Sequence, residues 1–131
     1  MTEYFTANYG DDKAQLVSQS ELSKLIGEVE ALARPTWLEL VSPDEQLIMH
    51  IGLGRPAFST ITFYDWREGG GTFHSAGTVD APDDTEFDYG GVPTTMSGAG
   101  GIAVEDAHAA AAEFLRTGER PKSIQWVEAT D

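Results

Sequence analysis

Apolar side chains recur at helical spacing in two segments of the chain. The first segment carries a continuous apolar stripe, formed by Leu22, Leu25, Ile26, Val29 and Leu32. Ser18 and Glu21 have the spacing of a capping box in front of this stripe. Arg34 and Pro35 follow it, and proline cannot continue a helix. The pattern therefore predicts a helix from Ser18 to about Ala33.

The second helical segment is rich in alanine and begins at Val104. Its predicted buried face comprises Val104, Ala107, Ala111, Phe114 and Leu115. Glu105 and Asp106 in the first turn and Arg116 in the last turn suit the helix dipole. Gly118 has the position of a left-handed C-cap, and Pro121 prevents continuation. The sequence thus predicts a helix that ends at Gly118.

Alternating apolar and polar residues predict strands elsewhere, over residues 3–9, 36–41, 46–53, 58–64, 72–79, 85–89 and 123–127. In the segment 85–89, Phe87 and Tyr89 are expected to face inward, and Glu86 and Asp88 outward. Residues 90–103 are rich in glycine and are expected to form an irregular surface loop. The chain is thus expected to form a single α+β domain over residues 1–131. Its mostly antiparallel sheet would have about six or seven strands, with two helices packed on it.

Charge changes this picture, because 22 acidic residues against 8 basic ones give a net charge of −14. Between Arg67 and Arg116 the chain has acidic residues but no lysine or arginine. Such a surface repels nucleic acids and anionic lipids and attracts basic proteins. Solubility alone is the simpler explanation of an acidic surface. The hydrophobic content of 40% argues against a disordered acidic tail.

Other features of the composition point to the cytoplasm. The chain has no cysteine, which excludes disulfides and thiolate zinc sites and suits a reducing compartment. Its N-terminal residues do not resemble a signal peptide, and its apolar stretches are too short to span a bilayer. A cytoplasmic protein that contacts neither nucleic acid nor membrane is expected, and its oligomeric state stays open.

The residue pattern gives no sign of a catalytic, cofactor or metal site. No acid or histidine lies four residues from His108, and Glu105 and Asp106 have weak ligand spacing, so His108 is interpreted as structural. His50 and His74 lie in predicted strands whose adjacency a single sequence does not give. The turn with Asp80, Asp83 and Asp84 does not match a calcium-binding loop. Core and interface positions are both open for Trp66, whereas Trp37 and Trp126 are expected in the core.

The C-terminal run "AAAAEFLRTGERPKSIQWVEA" resembles the signature of a known family. This is the type-one immunity protein family of bacterial polymorphic toxin systems. Further similarity lies in residues 58–64, in Ser75-Ala76-Gly77-Thr78 and in "EFDYGG", so that the resemblance covers about residues 45–128. Ala103 departs from it, since a serine-like N-cap is expected there. The resemblance implies inhibition of a cognate secreted toxin domain, commonly a nucleic-acid (cytosine) deaminase, without catalysis and without a cofactor.

A toxin that acts on nucleic acid has to hold phosphates in a basic groove, and an acidic protein can cover that groove. The predicted partner-binding residues are Trp66, Glu68, Asp80, Asp83, Asp84, Glu86 and Asp88. Two other functions remain open. One is an acidic module that shields another nucleic-acid-binding protein, and the other is a small enzyme that uses His50 or His74.

Overall fold

Two helices and nine strands occur in the part of the chain that the computed structural model describes, residues 4–9, 12–32, 34–81, 85–89, 92–96 and 100–129. The helices are α1 (Gln19–Glu30) and α2 (Val104–Thr117). The strands are β1 (Phe5–Tyr9), β2 (Asp12–Leu16), β3 (Thr36–Val41), β4 (Leu47–Leu53), β5 (Ile61–Asp65), β6 (Gly71–Ser75), β7 (Thr85–Tyr89), β8 (Val92–Met96) and β9 (Trp126–Glu128).

The strands form one sheet in the order β2-β1-β3-β4-β5-β6-β9, and every neighbouring pair in this path is antiparallel. The hairpin of β7 and β8 joins this sheet through a short parallel pairing of β7 with β3. This arrangement confirms the predicted α+β class with an antiparallel sheet and two helices. The sheet is larger than the predicted six or seven strands.

The two strands missing from the prediction have little apolar alternation. β2 is polar, and Leu16 is its one buried residue, because β2 lies at the edge of the sheet and pairs only with β1. β8 lies inside the glycine-rich segment that was expected to be an irregular loop, and it pairs along its whole length with β7. Backbone pairing with a neighbour stabilises both strands, and that partner is not visible in the local sequence.

The predicted signals at the helix ends are confirmed, with one exception. The hydroxyl group of Ser18 accepts a hydrogen bond from the amide of Glu21, at 3.2 Å. Gly118 adopts the left-handed conformation with φ of 70°, and its amide donates to the carbonyl of Phe114. However, α1 ends at Glu30 rather than near residue 33, so Leu32 is exposed instead of extending the apolar stripe.

Both helices pack on one face of the sheet, called the inner face here, and enclose the main hydrophobic core. Phe114 of α2 lies at its centre, with ring centroids 4.9 Å from Phe5 and 5.1 Å from Phe63. His108 and Glu30 connect the two helices, with 2.9 Å between Nε2 and Oε2. This contact supports the interpretation of His108 as structural.

The segment after α2 is held by side chains rather than by a regular element. The carboxylate of Glu113 accepts hydrogen bonds from the amides of Lys122 and Ser123. Trp126 donates from Nε1 to the carbonyl of Pro121 at 2.7 Å and packs against Phe63. Trp126 was predicted in the core; it is partly buried and packs against the core, and its strand starts three residues later than expected.

The opposite face of the sheet, called the outer face, carries a second and smaller hydrophobic cluster. Trp37, Phe58 and Phe87 form it, so the predicted core position of Trp37 is confirmed. Gly52 lies directly under Phe87, where an added Cβ atom would be 2.7 Å from the ring. The missing side chain at Gly52 therefore lets the β7–β8 hairpin lie on the sheet.

Candidate functional site

A row of residues, polar except for Val127 at its end, crosses the outer face because neighbouring strands place them opposite one another. The row is Asn8, Glu39, His50, Thr62, His74 and Val127, from β1 through β3, β4, β5 and β6 to β9. Directly opposed residues of antiparallel strands project from the same face of the sheet. Residues that are far apart in the sequence therefore share one surface.

Glu39 accepts three hydrogen bonds in the middle of this row. One carboxylate oxygen lies 2.8 Å from His50 Nε2 and accepts from the hydroxyl group of Tyr89 at 3.1 Å. The other accepts from the side-chain amide of Asn8 at 2.9 Å. The contact with His50 lowers the pKa of Glu39 most, and it outweighs the opposing effect of burial. Glu39 is therefore an ionised carboxylate at neutral pH.

The rings of His50 and Tyr89 lie beside this carboxylate, and a row of aromatic rings extends from His50 along the outer face. The ring of His50 lies 5.1 Å from that of Tyr64 and 5.4 Å from that of Tyr89. Tyr64 in turn stacks on Trp66, with 5.8 Å between centroids and 6° between planes. Burial, followed by the charge of Glu39, raises the pKa of both tyrosines. We call Glu39, His50, Tyr64, Trp66 and Tyr89 the outer-face site.

The outer-face site is open to solvent at its aromatic end. Trp66 is 64% exposed and Tyr89 is 45% exposed, and Val127 on the same face is 55% exposed. Trp66 is thus not a core residue, which decides the question that its sequence position left open. Exposed aromatic rings beside a fixed carboxylate can hold a positively charged group.

The predicted partner-binding residues are placed unevenly. Glu68, Asp80 and Glu86 are exposed, as Trp66 is. The expected outward orientation of Asp88 was wrong, because this residue is only 8% exposed and lies 3.7 Å from the guanidinium of Arg34. Asp83 and Asp84 lie outside the described residues.

Tyr89 is 45% exposed and so is not buried as predicted, although its hydroxyl group donates to Glu39 on the outer face of the sheet. Alternation failed in β7 because this strand is packed on two sides. Phe87 lies on the outer face over Gly52, while the amide of Asp88 donates to the carbonyl of Pro35 beside the start of β3. Alternation of apolar and polar residues reports exposure only where one side of a strand faces water.

The histidines do not assemble a metal site among the described residues, where no group of three or more potential ligands occurs. His50 and His74 share the outer face but are separated by Thr62 of β5, so they are not direct neighbours.

The described helices also include none that is long and apolar enough to cross a membrane.

Sequence reasoning did not select Glu39 or Tyr64, and it considered His50 only as a catalytic group. The signal that joins them is strand register, since Glu39 opposes His50 and His50 opposes Thr62 in adjacent strands. Register depends on pairing between distant segments, and a single sequence does not give it.

Comparison with known proteins agrees with the resemblance found in the C-terminal segment. No curated protein matches the chain. The profile of one protein family, described as Immunity protein Imm1, matches residues 10–128. This match includes both helices and every residue of the outer-face site. The chain therefore belongs to the Imm1 family of immunity proteins, which act against toxins.

Proposed function

We propose that this protein neutralises a cognate secreted toxin domain by binding over its basic, nucleic-acid-binding groove. The observation that carries the proposal is the combination of the Imm1 match with the net charge of −14. A groove that holds nucleic acid is basic, and an acidic inhibitor complements it. The resemblance to immunity proteins of deaminase toxins supports a toxin that deaminates cytosine in a nucleic acid.

Two kinds of surface residue have different roles in this proposal, one in association with the toxin and the other in slow dissociation. The exposed acids Glu68, Asp80 and Glu86 attract the toxin over a long range and speed its capture. The exposed ring of Trp66 acts only after contact and slows dissociation. Asp83 and Asp84 belong to the proposed acidic surface on sequence grounds, and Asp88 does not, because it is buried beside Arg34.

Inhibition by occupation of a groove needs neither a catalytic residue nor a cofactor in the inhibitor. A deaminase toxin carries its own catalytic zinc. We place the encounter in the cytoplasm of the producing cell, where newly made toxin would reach that cell's own nucleic acid.

The test first seeks a toxin domain among the genes that neighbour the gene of this protein and then reconstitutes the two purified proteins. The purified toxin should deaminate a nucleic-acid substrate, and equimolar addition of this protein should abolish the activity through a stable complex. Co-expression of this protein should protect a host cell from a toxin that lacks its export signal. A toxin that stays fully active with excess inhibitor would refute the proposal. Capture of an unrelated host nucleic-acid-binding protein instead would favour the shielding module.

A further inference from the structure

We propose that the outer-face site binds an arginine-bearing segment of the partner, with one guanidinium paired with Glu39 beside Tyr89 and a further guanidinium stacked on the exposed ring of Trp66. The inference rests on the proposed function, which supplies a basic protein partner. It adds the position of the contact and the chemistry of the group that is bound.

The Glu39 carboxylate is held in place by its neighbours. It is fixed on three sides by Asn8, His50 and Tyr89, so little conformational freedom is lost when a further donor binds. A carboxylate has about four acceptor sites, and three are used here. A cation that approaches from the solvent side therefore meets an ionised group already held in place.

The outer face carries most of the well-exposed large hydrophobic side chains among the described residues. The described residues include five large hydrophobic side chains that are well exposed, and three of them, Trp66, Tyr89 and Val127, lie on the outer face. The remaining two, Val17 and Leu32, flank α1. Exposed aromatic residues gathered on one surface are typical of contact sites.

The chemistry of the exposed rings favours arginine over lysine as the bound side chain. A guanidinium is planar, stacks on indole and phenol rings, and offers several donors in one plane. A lysine ammonium group is more strongly hydrated and does not stack. The chain uses the same contact internally, since the guanidinium of Arg120 lies 3.7 Å from the ring centroid of Phe73. A toxin arginine that binds substrate phosphate could not do so while it is bound to this site.

Short peptides test the site without the toxin. The probes are hexa-arginine, hexa-lysine and the uncharged hexa-citrulline, each titrated against the ¹⁵N-labelled protein. The indole N–H signal of Trp66 should shift with hexa-arginine, while those of Trp37 and Trp126 stay in place. The affinity for hexa-arginine should be about tenfold higher than for hexa-lysine, and hexa-citrulline should not bind. Equal affinity for the two charged peptides, or shifts of all three indoles, would overturn the proposal.

Variants separate this site from net charge. Glu39→Gln and Trp66→Ala should each weaken hexa-arginine binding about tenfold. Glu28→Gln on the exposed side of α1 changes the net charge as Glu39→Gln does and should leave the affinity unchanged. Trp66 is largely exposed, so Trp66→Ala should keep the fold. This variant therefore tests the site even if Glu39→Gln fails to fold. A loss of affinity in Glu28→Gln equal to that in Glu39→Gln would show that charge alone is responsible.

The same three variants are then measured against the toxin domain. Glu39→Gln and Trp66→Ala should dissociate from the toxin faster than the wild type does. Glu28→Gln should dissociate at the wild-type rate. Toxin binding that neither site variant weakens would refute this inference and the role proposed for Trp66, but it would leave inhibition through the acidic surface standing. If the wild type forms no toxin complex, the proposed function fails, and the peptide titrations alone decide whether the site selects arginine.

Discussion

At the scale of single residues, Glu39 connects the stability of the fold to pH. Its pKa lies below the ordinary value of 4.5, chiefly because of the hydrogen bond with His50. A carboxyl group whose pKa is lowered by folding stabilises the native state above its unfolded pKa. That contribution is lost as the pH falls through the lowered, folded value.

Glu39→Gln should therefore be less stable than the wild type at neutral pH, by about 1 kcal/mol after allowance for solvent exposure. The difference should shrink as the pH falls below 4.5, since the wild type then loses the charged form as well. Urea midpoints of both proteins across an acid titration measure this. A gap that stays constant down to the most acidic point would show that Glu39 does not act through its charge.

Gly52 is a residue at which added volume should be harmful. An alanine Cβ atom there would lie 2.7 Å from the ring of Phe87, so Gly52→Ala should cost about 1 to 3 kcal/mol. Gly27 in α1 is the matched control, because a Cβ atom there meets nothing within 4 Å. Gly27→Ala should stabilise the protein by about 0.5 to 1 kcal/mol. Thermal unfolding of the two variants should shift in opposite directions, and similar shifts would contradict the packing of Phe87.

At the scale of elements, the segment between α2 and β9 depends on one carboxylate. Glu113 caps the amides of Lys122 and Ser123, and its pKa is lowered mainly by the bond from Lys122. Glu113→Ala should cost about 1 to 2 kcal/mol and speed amide exchange in β9. Glu113→Gln keeps a hydrogen-bond acceptor and should lose less stability. Equal exchange in wild type and Glu113→Ala would mean that other contacts hold this segment.

Elements with their own start and stop signals could be predicted from the sequence, and elements made by pairing could not. The capping box at Ser18 and the C-cap at Gly118 are local, and both were placed correctly. β2 and β8 acquire their structure from β1 and β7, and their own residues carry little signal. The outer-face site shares this property, because Glu39 and His50 meet only through the register of β3 and β4.

At the scale of the whole molecule, the question is whether the acidic surface acts locally or through its total charge. Asp80 and Glu86 are exposed members of the proposed contact surface. Reversal of both to lysine should slow association with the toxin and reduce the dependence of that rate on salt. The fold should persist, since exposed positions of this kind contribute little stability.

The matched control reverses Glu28 on α1 and Glu105 on α2, which are exposed and change the net charge equally. Glu30 is unsuitable for this purpose because it contacts His108. Stopped-flow association at several salt concentrations compares the two double variants. Equal slowing would show that net charge alone steers the encounter. No slowing in either variant would remove electrostatic steering from the proposed function.

The separation of the two hydrophobic clusters has a consequence for how such a protein diversifies. The main core lies under the helices, while the small cluster around Phe87 lies on the opposite face with the β7–β8 hairpin. Mutations that reshape the hairpin, and with it the position of Tyr89, therefore leave the residues of the main core untouched. Under the role proposed for the outer-face site, substitutions on that face would alter recognition of the toxin without a change in the residues of the main core.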